Sequence, residues 1–160
     1  MNIHLKAIVM IFALMSFSCK ENSTEKPLPS SSETESKTLK ANEQCYLYAN
    51  NRDTIKLILK ENKTLVTGTL LFNFYEKDGS HGVFEGIMKG DTIYADYNFE
   101  AEGTKSKREL ILLKKDNVVL QGYGELEVDA QNTTVFKENA TITFDDKFPL
   151  TAVACDTLDY

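Results

Sequence analysis

The chain has 160 residues, of which 42% are hydrophobic and 26% charged, with a formal net charge of −6 at pH 7 and three cysteines. That length allows one domain of ordinary size. An acidic chain with few clustered Lys or Arg residues is a poor candidate for phosphate-backbone binding, so no nucleic-acid partner is expected.

Residues 1–18 have the three parts of a secretory signal. Met1 to Lys6 carries one positive charge, Ala7 to Met15 is apolar, and Ser16-Phe17-Ser18 places small residues before Cys19. The apolar run falls short of the about 20 residues that a membrane-spanning helix needs. A plain signal peptide ending near a cysteine is one reading, and a membrane-anchoring helix is a weaker one. A third follows from the segment LMSFSC, which resembles the relaxed lipobox of Bacteroidetes lipoproteins, with Ser16 where Leu is usual and Leu14 and Met15 further upstream. The resemblance implies cleavage before Cys19, acylation of that cysteine with chains such as palmitate, and a place in the bacterial envelope as an outer-membrane lipoprotein. Several acyl chains, each contributing roughly 0.8 kcal/mol per buried CH₂, make such an anchor stable.

Residues 19–43 then form the expected lipidated terminus and tether. Ser, Thr, Glu, Lys and Pro dominate Lys20 to Lys40, and such a composition buries too little to offset its ordering entropy. Lys20-Glu21-Asn22 partly resembles the Lys-plus-acidic signal that sends some Bacteroidetes lipoproteins to the cell surface.

Residues 44–160 read as a run of strands. Ile55, Leu57 and Leu59 share one face, as do Val66, Leu70, Phe72 and Phe74 on the next strand, and Ile93, Ala95, Tyr97 and Phe99 on a later one. Turns are expected at Glu61-Asn62-Lys63, at Lys77-Asp78-Gly79-Ser80 through Asp-Gly, at Lys89-Gly90-Asp91, at Glu102 to Lys105 and at Lys115-Asp116-Asn117. Further strands are expected over Val83 to Met88, Arg108 to Lys114, Val118 to Leu126, Ala140 to Phe144 and Leu150 to Cys155. Hairpin-linked strands become neighbours, and a long meander must hide its edges. The expected fold is therefore all-β, a single small antiparallel up-and-down barrel of about eight strands, with a two-sheet sandwich as the alternative. Calycin-like barrels are an architectural analogy.

If Cys19 is acylated, Cys45 and Cys155 remain to pair outside the cytoplasm, joining the first and last strands of a barrel. Two unrelated buried thiols are the alternative.

Chemistry is sparse. Ser80-His81 on a turn lacks the strand-to-helix elbow of a hydrolase nucleophile. One His in the processed chain supplies no zinc set, and no phosphate or calcium loop occurs. No metal, no cofactor and no enzymatic activity are expected. Polar residues alternating with core positions, namely Asn73 and Tyr75, Tyr94, Asp96 and Asn98, then Gln121, Tyr123 and Glu125, with Glu100 and Glu102 beyond them, are either the wet outer face of a barrel or the lining of a polar pocket. Of these, Tyr94, Asp96, Asn98, Tyr123 and Glu125 are the candidate ligand-binding set. Asp53-Thr54-Ile55, Asp91-Thr92-Ile93 and Asp156-Thr157-Leu158 resemble the O-glycosylation motif of Bacteroidetes envelope proteins, and turn chemistry accounts for them equally well.

From KGDTIYADYNF and LQGYGELE to FPLTAVAC the chain resembles small Bacteroidetes lipoproteins, a likeness that brings no activity to any residue. The expected protein is a monomeric, lipid-anchored envelope module that binds a small molecule or an envelope protein. The alternative is an inhibitor of an envelope hydrolase that uses the loop Asp78 to Gly82.

Overall fold

In the structure, a computed structural model, residues 42–158 are described. The signal segment, Cys19 and residues 20–41 of the tether lie outside the described residues.

Seven long strands follow one another: β1 (Asn42–Asn50), β2 (Asp53–Asn62), β3 (Leu65–Asn73), β4 (Ser80–Lys89), β5 (Thr92–Ala101), β6 (Thr104–Lys115) and β7 (Val118–Tyr123). Three short strands come next, β8 (Leu126–Val128), β9 (Thr134–Phe136) and β10 (Thr143–Phe144), before β11 (Leu150–Val153) and a 3₁₀ turn at Cys155–Thr157. Each of the first six pairs antiparallel with its successor, and β11 pairs antiparallel with both β1 and β7. The ring β1–β7 plus β11 is a closed eight-stranded antiparallel barrel. Closure leaves none of its strands with an unpaired edge.

Tight turns make the meander. Connections at Asn51-Arg52, Lys63-Thr64, Gly90-Asp91, Glu102-Gly103 and Asp116-Asn117 have two residues each. Each contains a left-handed residue, such as Asn51 at φ 54° or Gly103 at φ 75°, which matches the twist of the flanking strands. The β3–β4 connection differs from expectation. Its turn falls at Tyr75-Glu76, with Glu76 at φ 54°, and Gly79 is not left-handed. Phe74 packs against Phe72 and Phe148, and the Tyr75 amide donates to Asp53 Oδ1 at 2.8 Å, so tertiary contacts pull the turn ahead of Asp-Gly. Ser80, His81 and Gly82 consequently lie within β4, paired with Phe72, Leu71 and Leu70.

Alternation fills the barrel. Tyr46, Ile55, Leu57, Leu59, Leu70, Phe84, Ile93, Tyr97, Leu110, Leu112 and Val119 are buried inside. Full burial of each such aliphatic contributes roughly 1.5–3 kcal/mol. Outward positions carry Lys56, Glu85, Asp96 and Lys107, together with exposed Leu65, Val83, Ile87 and Tyr94.

Four further expectations need correction. β1 begins at Asn42, paired with Glu61, so two residues assigned to the tether belong to the sheet. β7 stops at Tyr123, and Leu126 starts a separate strand, because residues 124–149 leave the meander, with β9 pairing to β6 and β10 to β7. Of Ala140 to Phe144 only Thr143 and Phe144 form a strand, pairing with Tyr123 and Gly122 rather than joining the barrel. Cys155 sits in the 3₁₀ turn beyond β11. Its bond to Cys45 is formed, with Cα atoms 5.1 Å apart, clasping the seam where the ring closes.

Candidate ligand cavity at the barrel mouth

Strand direction gives the barrel two different ends. At one end lie the β2–β3, β4–β5 and β6–β7 turns, the start of β1 and the disulfide. Here Glu61 and Lys114 both point inward and pair at 2.5 Å, and the Tyr46 hydroxyl donates to Gln44 Oε1 at 2.6 Å. Polar groups that satisfy one another cap the interior at this end, beside a depression of about 410 Å³ lined by Gln44, Tyr46, Asn117 and Cys155.

At the other end gather the β1–β2, β3–β4 and β5–β6 turns together with residues 144–149. An internal cavity of about 340 Å³ opens there, lined by Phe72, Phe74, Tyr97, Phe99, Phe148, Asp78, Ser80, Arg108, Gln121 and Tyr123. That volume lies at the small end of ordinary ligand sites. Its walls are aromatic: Tyr97 and Phe99 stack with centroids 4.9 Å apart, and Phe148 stands edge-on to Tyr48 at 5.2 Å. The floor is Tyr97, whose hydroxyl donates to the Leu70 carbonyl at 2.8 Å. The rim is braced by Arg52, which lies 3.2 Å above the Tyr75 ring.

Burial pushes the Tyr97 phenol above its usual pKa, with a hydrogen bond from Ser80 and the Arg108 charge opposing. Burial likewise raises Tyr123, reinforced by Asp145. Both phenols are neutral near pH 7. Desolvation lowers the Arg108 guanidinium, which nonetheless stays cationic. At the rim Glu102 is held above the usual carboxylate range by its hydrogen bond with Asp78.

The structure does not bring the five sequence candidates together. Tyr123 and its neighbour Gln121 line the cavity. Tyr94 and Asn98 are exposed on the outer face of β5, and Asp96 beside them pairs with Lys107 at 3.0 Å. Glu125 is exposed, pairs with Lys137 at 3.0 Å and borders an outer depression beyond β7. Asn98 borders outer depressions next to His81 and Phe84. Asn73 and Tyr75 belong to the β3–β4 rim. The outer depressions are larger, about 690 and about 590 Å³, but they are lined chiefly by exposed side chains with satisfied partners or open to water.

Arg108 is the residue that sequence reading passed over. Its signal was parity: Arg108, Leu110, Leu112 and Lys114 share one face of β6, and the two leucines are core. In the three Asp-Thr-aliphatic motifs the aliphatic residue, Ile55, Ile93 or Leu158, is buried, so turn-to-core alternation accounts for the pattern. Among the described residues the one group of potential metal ligands is Glu43, Cys45 and Cys155, and its sulfurs are joined in the disulfide.

No family model, no curated protein and no solved structure matches this chain.

Proposed function

We propose that this chain is a lipid-anchored, non-enzymatic binding module of the bacterial envelope that takes a small molecule into the barrel mouth. The observation that carries this reading is the aromatic cavity inside one end of the barrel, set against an opposite end plugged by Glu61 and Lys114. Protein interiors are ordinarily close-packed, so an end left unfilled is a candidate ligand site. The anchor rests on the LMSFSC segment, and the chain enters β1 at the plugged end. The hydrolase-inhibitor reading draws on a projecting loop at Asp78 to Gly82, and most of that segment is paired strand.

Native mass spectrometry of the full chain, extracted from membranes in mild detergent, tests the binding reading. Expected is a bound small molecule lost on unfolding; a uniformly empty chain that also takes up nothing from an envelope extract would refute it. Intact mass tests the anchor separately, since cleavage before Cys19 removes residues 1–18 and acylation adds lipid mass to Cys19, and Cys19→Ala abolishes the added lipid mass.

A further inference from the structure

The mouth cavity contains a charge that the protein itself does not neutralise. Arg108 is half-buried on the inward face of β6, and among the described residues its one side-chain hydrogen bond runs from Nε to the Glu109 carbonyl at a long 3.4 Å. Among the described residues no carboxylate oxygen lies within 4.0 Å of its guanidinium. The inward cation at the other end of the same strand, Lys114, has its counterion in Glu61. The neighbours facing Arg108 from β5 and β7 are the neutral phenols of Tyr97 and Tyr123. Asp78 also lines the cavity, but its carboxyl is engaged with Glu102 at the rim, and Asp145 acts on Tyr123.

Partly desolvating an unpaired guanidinium is costly. Five N–H donors in a planar fork suit one class of partner, a planar or tetrahedral oxyanion held through two bonds. The remaining walls, Phe72, Phe74, Phe99 and Phe148, suit a flat apolar body. Depth is limited as well. Below the Tyr97 floor the barrel is filled by fully buried Leu57, Phe84 and Leu70, so no tunnel continues for a long chain.

Resting on the binding reading above, we propose that the mouth binds a compact organic acid, with its carboxylate on Arg108 and an aryl or cyclic apolar body against the phenylalanines. Tyr123 and Gln121, on β7 beside the guanidinium, position the acid; the shallow floor excludes extended acyl chains.

The test is ligand-observed ¹⁹F NMR on the full chain in a neutral detergent, using 4-fluorophenylacetate, its neutral amide 4-fluorophenylacetamide, and decanoate as competitor. A charge-assisted pair gives the acid about tenfold to a hundredfold tighter binding than the amide. Arg108→Gln is expected to remove that preference, Arg108→Lys to retain part of it, and decanoate to leave the acid bound. Equal binding of acid and amide, or an acid preference that survives Arg108→Gln, overturns the charge assignment and leaves the cavity a binding site. Displacement by decanoate overturns the size limit. Binding of neither probe overturns the acid proposal and counts against the binding reading with it. Should Arg108→Gln fail to fold, the acid-to-amide ratio on the unaltered chain decides alone.

Discussion

Replacing Cys45 and Cys155 together with alanine opens a covalent loop spanning 110 positions. In the chain-entropy description the cross-link removes about 4–5 kcal/mol of freedom from the unfolded state for a loop of this length. Truncating Cys45, which is 2% exposed, adds a small void worth roughly another 1 kcal/mol. Against the about 5–15 kcal/mol typical of a single domain, that loss is a third or more of the total. The location sharpens the expectation. β11 holds the ring shut through three residue pairs with β1 and two with β7, whereas β1–β2 and β2–β3 have nine each. The seam is the weakest ladder, and the disulfide lies on it. Guanidinium titration of the variant and the parent measures the effect. Expected are a much lower midpoint, a steeper m-value because the unfolded chain expands, and faster amide exchange in β11 than in β3–β5. A variant within about 1 kcal/mol of the parent, with the same m-value, would refute the closure argument.

Gly86→Ala is expected to cost about 3 kcal/mol or more or to prevent folding, because a Cβ there would stand 2.1 Å from the Tyr94 carbonyl oxygen and 2.6 Å from the Ala95 Cα. Gly90→Ala, with open space but φ at 59°, serves as comparison at about 1 kcal/mol by denaturation. Arg108→Met is expected to leave stability unchanged or raise it by roughly 1 kcal/mol while removing the preference for the acid over its amide, the signature of a charge kept for function; a clear loss in thermal midpoint would contradict that. Tyr46, Tyr97 and Tyr123 all have phenol pKa values raised above 10.0 by burial. The folded state therefore holds protons that the unfolded state releases, so stability is full below about pH 10 and falls as pH rises through the folded-state values. Denaturation midpoints between about pH 8 and pH 11 should show this decline, and Tyr123→Phe should make it shallower.

Period-two patterning was readable because each strand of a small barrel has one dry and one wet face. Ile55, Leu57 and Leu59, or Ile93, Ala95 and Tyr97, declare their face without help from any other element. Turn chemistry was equally local at Gly90-Asp91 and Glu102-Gly103. It failed at Asp78-Gly79, where Phe74 and Asp53 make long-range contacts that outweigh the propensity of two residues. Residues 124–149 were misread for a related reason: short strands added to the ends of β6 and β7 carry weak alternation, and their partners are fixed only once β6 and β7 stand side by side.

The candidate site shows the same division. Polar residues on β5 and β7 have identical sequence signatures, yet Tyr94, Asp96 and Asn98 face water while Tyr123 and Gln121 face the cavity. Alternation says that two faces exist; the core residues of each strand say which face is inward, and Ala95 and Val119 settle it oppositely for their polar neighbours. By itself the sequence determined an all-β domain, its hairpin order and two cysteines able to clasp its ends, because these depend on neighbours along the chain. Tertiary structure alone decided which end of the barrel is plugged and which is open. Lys114 meets Glu61 from 53 residues away, and Arg108 meets no such partner. Whether an inward charge is neutralised depends on what ring closure brings opposite it.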